Sequence, residues 1–295
     1  PNKMHDLDTV ISNLAGDDER RAEDAARWLS EHCDGTTGDK TTRRASVGQV
    51  RGIWPAFQKA LMKSQCRGLR SATLDALGFV AFEDALNSAA IASNHDLLNA
   101  LAQIVKTGSS DEKVAAVGTV ANLTVSDDNM TSKICIAQHS ALVTNLAEVF
   151  DPGCTSPADR LVQFRAVGAF NNIARSSEAA ALLDSLGIPP VLNRFINSVL
   201  DEGDQEILVA RTAMALAGLM GRLELNNLPR KGALLRLVVT CLEHAINRLE
   251  GGNGMFGNVL WSASVVLYPL YQLSIADANK VDLAEAGVVE QLLRL

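Results

Sequence analysis

The sequence predicts an all-α fold built from helical repeats, and three observations carry that prediction. A short apolar segment that follows a small or turn-forming residue occurs six times along the 295-residue chain. Hydrophobic residues make up 47% of the chain and aromatic residues only 4%, with alanine and leucine abundant. Strand-like alternation is rare, and no glycine-rich phosphate loop follows a candidate strand. Helices that pack closely through small side chains fit this pattern better than a sheet does.

The six apolar segments set the length of the repeat. They begin at Gly52, His95, Ser140, Gly187, Gly232 and Gly287, so consecutive starts lie 43, 45, 47, 45 and 55 residues apart. A unit that returns every roughly 40–47 residues is typical of a helical solenoid. The longer last interval contains the glycine-rich stretch 247–258. Two interpretations of this stretch stay open: a mobile binding loop that carries Met255 and Phe256, or a flexible insertion whose Phe256 packs into the core.

Each apolar segment predicts the second of three helices in a repeat. A shorter amphipathic helix precedes it, as in 126–140, and a longer alanine-rich helix follows it, as in 160–177. We expect Gly187 to end a first helix in the left-handed conformation. Pro189 and Pro190 then fall in the first turn of the second helix, where a missing N–H costs nothing.

The repeats predict one domain that spans residues 1–295. Within it, residues 1–51 form a partial N-terminal repeat and a linker, residues 52–286 form the core repeats, and residues 287–295 form a truncated or capping helix. Each repeat buries its faces only against its neighbours, so we expect a segmented but cooperative array.

Charge and cysteine content narrow the class of function. A net charge of −7 and a pI near 5.3 argue against nucleic acid as the main partner, because phosphate binding needs a basic surface. The five cysteines are scattered without a C-x-x-C pair, which favours a reducing compartment and no zinc site. No apolar run is long enough to span a bilayer. We therefore expect a cytoplasmic protein. Two alternatives stay open: a nucleocytoplasmic location, and recruitment to a membrane through a partner or a missing N-terminal anchor.

Two stretches carry a resemblance to a known family. AAVGTVANLTV (115–125) and RAVGAFNNIAR (165–175) are the closest matches to the pattern A-x-x-A-hydrophobic-x-N-hydrophobic. With its short first helix, its glycine-entered second helix and this third helix, the chain resembles armadillo repeats over nearly its whole length. The resemblance implies a right-handed superhelix of about five to six three-helix repeats, with third helices that line a concave groove.

The resemblance also implies a set of groove residues. In armadillo proteins an asparagine of the third helix holds the backbone of an extended peptide, and Asn122 and Asn172 match that position. The equivalent positions elsewhere are Phe79, Gly218 and Gln272. Tyr268, next to the helix-kinking Pro269, would face the groove. Importin-α proteins carry a tryptophan four residues before the asparagine, where this chain has Gly118 and Gly168, so basic nuclear-localisation peptides are disfavoured as ligands.

Two arginines suggest the charge of the ligand. Arg165 and Arg211 stand seven residues before Asn172 and Gly218, at equivalent places in adjacent repeats. Guanidinium groups form bidentate bonds with carboxylates and phosphates, so an acidic or phosphorylated segment is expected, as in a β-catenin-like groove. The alternative is that both arginines pair with nearby acids such as Glu206.

A further short motif predicts regulation. TTRRASVG (41–48) has the R-R-x-S pattern favoured by basophilic kinases, with Ser46 as the phosphorylation site. The alternative is a solvated turn with a helix-capping serine.

Catalytic motifs are missing from the sequence. The five histidines show no H-E-x-x-H spacing, and no G-x-S-x-G elbow occurs. We expect no enzyme activity, no cofactor and no metal. The leading hypothesis is a non-enzymatic adaptor or scaffold that holds an extended segment of a partner protein in its groove. Two alternatives stay open: a regulator of a folded partner, such as a chaperone nucleotide-exchange factor or a small-GTPase or cytoskeletal module, and an autoinhibitory domain of a longer enzyme.

Overall fold

A computed structural model describes residues 6–34, 40–63, 66–126, 129–151, 153–200, 202, 205–220, 230–257 and 259–295. Over these residues the chain is almost entirely helical, as the sequence predicted. The helices of the first half are α1 (Leu7–Leu14), α2 (Glu19–Asp34), α3 (Lys40–Gln49), α4 (Ile53–Lys63), α5 (Arg67–Ala81), α6 (Ala85–Ala92), α7 (His95–Thr107), α8 (Ser110–Thr124), α9 (Met130–Gln138), α10 (Ser140–Glu148) and α11 (Pro157–Ile173).

The second half repeats the order of helices with an added hairpin, except that no first helix is described between Met220 and Lys231. Its helices are α12 (Ser177–Ser185), α13 (Ile188–Val199), α14 (Glu206–Met220), α15 (Lys231–Leu249), α16 (Ala263–Ser274), α17 (Lys280–Glu285) and α18 (Val288–Leu292). Strands β1 (Met255–Phe256) and β2 (Val259–Leu260) pair antiparallel between α15 and α16, with Met255 opposite Leu260. A 3₁₀ turn at Asp277–Asn279 precedes α17.

The predicted starts of the second helices are confirmed to within one residue. The helices α4, α7, α10, α13, α15 and α18 begin next to or at the six predicted positions. Gly52, Gly187 and Gly287 have φ angles of 89°, 74° and 92°, so each takes the left-handed conformation just before a second helix. Pro189 and Pro190 lie in the first turn of α13, as expected.

Contacts divide the chain into two compact units. One consists of Pro1–Val149 and Ser156–Ala169, and the other of Phe150–Thr155 and Phe170–Leu295. In the first unit the third helices α2, α5 and α8 pack in succession, and so do the second helices α4, α7 and α10. In the second unit α14 packs against α13, α15 and α16. The assignment of all 295 residues to a single domain stays a prediction.

Polar side chains tie each repeat of the first unit to the one before it. Asn87 donates to the Arg44 carbonyl at 2.8 Å, Asn129 to the Ala85 carbonyl at 3.1 Å, and Asn145 to the Ala102 carbonyl at 2.8 Å. Each bond therefore connects residues 43 or 44 positions apart, which is one repeat. All three asparagines are buried, so the bonds satisfy groups that would otherwise be costly to desolvate.

A buried ion pair joins the starts of two third helices. The Glu112 side chain, 2% exposed, accepts a 2.6 Å bond from Arg70 Nε and further bonds from the Ser109 backbone and hydroxyl, which form a capping box. Burial raises the pKa of the Glu112 carboxyl, but the bonds from Arg70 and Ser109 outweigh burial and hold the pKa below its ordinary value. The charged carboxylate is thus the form that the fold prefers.

Replacing Gly187 by alanine should destabilise the protein by about 1 kcal/mol, because a Cβ disfavours the left-handed conformation. The matched control is Gly232→Ala inside α15, where an added Cβ meets only Arg236 Nη1 at an ordinary 3.7 Å. The measurement is urea unfolding followed by circular dichroism. An equal loss of stability in both variants would contradict the argument from φ.

Replacing Glu112 by glutamine should lower stability at pH 7 by about 2 kcal/mol, since it removes a charged hydrogen bond from a buried site. A carboxyl whose folded pKa is depressed contributes stability above its unfolded value near 4.5, and this contribution is lost as pH falls through the folded pKa. Wild type should therefore lose more stability than Glu112→Gln between pH 7 and pH 3. The control is Asp277→Asn, which breaks the exposed pair with Lys280 and should change stability far less.

Candidate functional site

A cleft of about 290 Å³ lies on the third-helix surface of the first unit. It is lined by residues of three third helices, with Asp75, Gly78 and Phe79 from α5, Gly118 and Asn122 from α8, and Arg165 from α11. The structure thus brings together Asn122 and Arg165, two of the residues that the sequence predicted for a groove.

Asn122 has one half of its amide engaged and the other half open. Its Nδ2 donates a 3.1 Å bond to the Gly78 carbonyl of the preceding repeat. Its Oδ1 accepts no hydrogen bond from any described residue, and the side chain is half-buried at the cleft wall. Asn122 therefore bridges two helices and still offers one acceptor to a ligand.

Arg165 extends from α11 onto the surface of α8. Its Nη1 donates a 2.9 Å bond to the Val114 carbonyl, and a Cβ at Gly118 would collide with the same nitrogen. Gly118 is thus the residue that makes room for this guanidinium. Burial lowers the pKa of Arg165, and the nearby Asp75 carboxylate counteracts part of that lowering. Within the described part of the chain, Nε and Nη2 donate no hydrogen bond.

Asp75 supplies a carboxylate to the same cleft. The side chain reaches solvent, yet the surrounding walls desolvate the carboxyl enough to raise its pKa, while Arg165 and Arg27 act to lower it. No described residue donates a hydrogen bond to Asp75. Sequence reasoning missed this residue, although it stands four positions before Phe79, as Gly118 stands before Asn122.

Arg27 on α2 is the second residue that sequence reasoning missed. Its guanidinium forms a 2.6 Å ion pair with Glu23 on its own helix and interacts electrostatically with Asp75. The Arg27 side chain is 60% exposed. A pair between neighbours on one helix whose arginine is largely exposed is weak, so Arg27 is able to exchange Glu23 for another partner.

The second unit holds the other predicted groove residues. The Gln272 side chain is hydrogen-bonded to the Tyr268 hydroxyl, and burial raises the pKa of Tyr268. A Cβ at Gly218 would lie 3.6 Å from Tyr268 Cε1. Asn172 is buried and has a polar or ring contact of its own. Tyr268, Gln272 and the Gly218 position therefore lie together, and their role in binding stays a prediction.

Arg211 lies in an aromatic environment within the second unit. Its Cζ is 5.3 Å from the ring centroid of Trp261, a cation–π arrangement. Burial lowers the pKa of Arg211 to about 10, with a small opposing effect from Cys241, so the group stays charged at neutral pH. Arg165 and Arg211 belong to different units, and their joint action on one ligand stays a prediction.

The R-R-x-S motif lies in helix α3, and its arginines are engaged. Arg44 is 5% exposed and donates to the carbonyls of Cys33 at 3.1 Å and Phe82 at 2.9 Å, the ends of α2 and α5. Arg43 donates to the His32 carbonyl at 3.4 Å. A basophilic kinase needs both arginines, so α3 would have to open before Ser46 is modified. Phosphorylation of Ser46 stays a prediction.

The glycine-rich stretch begins in the last turn of α15 and contains strand β1, which pairs with β2. The Phe256 ring stacks on His244 with centroids 5.3 Å apart, and the buried Trp261 donates from Nε1 to the Phe256 carbonyl at 3.2 Å. These contacts favour the interpretation in which Phe256 packs against the repeats, while Met255 and Leu260 remain exposed.

Two absences hold for the residues that the structure describes. Within that part of the chain, no three His, Cys, Asp or Glu side chains are grouped so that they could hold a metal ion. None of the described helices combines the length and the apolar character needed to cross a membrane.

The chain is similar in structure to armadillo repeat proteins that have been designed. A structure described as an engineered protein is 18% identical and covers 96% of this chain and 98% of its own, with a TM-score of 0.62. A computationally designed armadillo repeat protein for modular peptide recognition is 17% identical, with coverages of 92% and 100% and a TM-score of 0.62. A designed armadillo repeat protein in complex with the peptide (KR)4 is 16% identical, with coverages of 91% and 99% and a TM-score of 0.59.

No family model matches the sequence, and no curated protein matches it either. With identities this low, the structural likeness establishes the fold alone. The chain has the fold of an armadillo-like repeat solenoid, as its sequence predicted.

Proposed function

We propose that the chain is a non-enzymatic scaffold that holds an extended segment of a partner protein against the third helices of its first unit. One observation carries the proposal. Asn122, Asp75 and Arg165 all line one cleft. Asn122 Oδ1, the Asp75 carboxylate and Arg165 Nε and Nη2 form no hydrogen bond with another described residue. Polar groups that converge on a cleft without internal partners are the usual anchors of a ligand.

The chemistry of these groups suits a polypeptide. Asn122 Oδ1 would accept a backbone N–H without reading the side chain, which gives affinity for an extended segment of any sequence. Arg165 Nε and Nη2 would donate to a carboxylate or phosphate and so select an acidic or phosphorylated side chain. Asn172, Arg211, Tyr268 and Gln272 stay predicted groove residues of the second unit, considered by itself. The designed armadillo protein in complex with (KR)4 supports the peptide-binding mode, although its ligand is basic.

A second candidate function is regulation of a folded partner, and another cleft favours it. This cleft, of about 460 Å³, is lined by Leu61 and Met62 of α4, by α7 residues such as Gln103, and by the Arg70–Glu112 pair. Met62 is 58% exposed at its edge. A surface formed by second helices would suit a globular domain better than an extended peptide.

We place the protein in the cytoplasm for either function.

Replacing Arg165 by glutamine should weaken binding of the partner segment about tenfold or more, because one charged hydrogen bond is lost. The ligands are overlapping synthetic peptides made from the sequence of a partner captured from native lysate, and affinity is measured by fluorescence anisotropy. Asn122→Ala should also weaken binding, whereas Met62→Glu on the second-helix cleft should leave it unchanged.

The same set of variants separates the two candidates. The regulator is favoured over the scaffold if the partner binds only as a folded domain. In that case Met62→Glu should lose the partner, whereas Arg165→Gln and Asn122→Ala should retain it. Unfolding curves of all three variants establish that each is folded before affinities are compared.

A further inference from the structure

Three consecutive third helices of the first unit present charge at one equivalent position. Aligning buried residues of α2 with those of α5 pairs Ala26 with Leu74, Leu29 with Leu77 and Cys33 with Ala81, each 48 residues apart. In this alignment Arg27 of α2 corresponds to Asp75 of α5. Asp75 in turn corresponds to Gly118 of α8, since these residues stand four before Phe79 and Asn122.

The position at Gly118 is filled by a residue of the next repeat. The Arg165 guanidinium lies where a side chain at Gly118 would be, held by its bond to the Val114 carbonyl. Along α2, α5 and α8 the surface therefore presents Arg27, Asp75 and the Arg165 guanidinium, in the order cation, anion, cation. Electrostatic interaction of Asp75 with both arginines agrees with this order. We call these three residues the charge ladder.

The charge ladder disfavours a ligand of uniform charge. A uniformly acidic segment would place a like charge against Asp75, and a uniformly basic segment would place like charges against Arg27 and Arg165. Like charges placed close together in a partly desolvated cleft weaken binding, and this repulsion lowers the affinity for wrong partners. A segment whose charges alternate in sign meets an opposite charge at all three positions.

Spacing decides which residues of the segment take part. Packed helices lie about 8–10 Å apart. An extended chain advances about 3.3 Å per residue, and only every second side chain points to the same face. Residues i, i+2 and i+4 therefore follow three consecutive third helices, with the long side chains of glutamate, lysine and arginine covering the difference in length.

We propose, on the basis of the scaffold function above, that the bound segment carries an acidic, a basic and an acidic side chain at alternate positions. The acidic side chains pair with Arg27 and Arg165, and the basic side chain pairs with Asp75. The first pairing displaces Glu23 from the exposed Arg27, and the second gives the Asp75 carboxylate a close cation. The pattern reads the same in both chain directions, so it holds for either orientation of the segment.

The test compares peptides of identical composition. One has the order Glu-Ser-Lys-Ser-Glu and the other Glu-Ser-Glu-Ser-Lys, each within the same serine–glycine flanks, and affinity is measured by fluorescence anisotropy. The first should bind wild type about fivefold or more tightly than the second, and the difference should shrink as salt is raised. In Asp75→Asn the difference should fall, and Asp75→Lys should instead favour Glu-Ser-Glu-Ser-Glu.

Two results overturn the inference in distinguishable ways. Equal affinity of wild type for the two ordered peptides, with both weakened by Asn122→Ala, contradicts the charge order and leaves the scaffold function intact. Absence of binding by all three peptides, together with loss of the captured partner in Met62→Glu alone, contradicts the scaffold function as well. Unfolding of Asp75→Asn serves as a check, because Asp75 is exposed and its pKa is raised in the fold, so loss of the carboxylate should not lower stability.

Discussion

Each repeat of the first unit is held in register by side chains that bond to the backbone of the repeat before it. Asn87, Asn122, Asn129 and Asn145 each donate to a carbonyl 43 or 44 residues earlier, and Thr119 donates to the Leu74 carbonyl 45 residues earlier. Apolar contacts alone would let neighbouring helices slide, because burial has no preferred direction. Directional bonds to fixed carbonyls remove that freedom, and the positions of the cleft residues depend on them.

The bond from Asn122 uses only half of its amide among the described residues. An amide has a donor half and an acceptor half, and only the donor is used by the Gly78 carbonyl. The side chains of Asn87, Asn129 and Asn145 are buried, whereas Asn122 is half-buried. Among these four asparagines, Asn122 is the one that lines the cleft.

The sequence alone was sufficient for the repeat and its boundaries. Five of the six second helices could be placed within a residue because a left-handed glycine or a capping residue marks the start, and these are local effects of backbone geometry. The exception is α15, whose first residue follows Arg230 in the left-handed conformation without a capping side chain. The hairpin at Met255–Leu260 was not foreseen, since two-residue strands carry no periodic signal. Asp75 could have been found from the alignment of third helices, because it stands four residues before Phe79, as Gly118 stands before Asn122.

The contacts of individual arginines could not be predicted from the sequence, for a physical reason. Arg44, Arg165 and Arg211 all lie in helices, and their sequence neighbours do not indicate which groups each guanidinium contacts. One secures two helix ends, one lies over a glycine of the preceding repeat, and one lies on Trp261. These destinations depend on contacts more than 10 residues away in sequence, up to the 51 residues between Arg165 and Val114.

The placement of the Arg165 side chain over Gly118 has a consequence for how this array could be rebuilt or could have diverged. A repeat excised with its own helices would carry the vacancy at Gly118 without the group that fills it, and the next repeat would carry an arginine with no glycine beneath it. Gly118 and Arg165 therefore form one structural unit that spans two adjacent repeats. A rearrangement of repeats that keeps this contact has to keep these two repeats together.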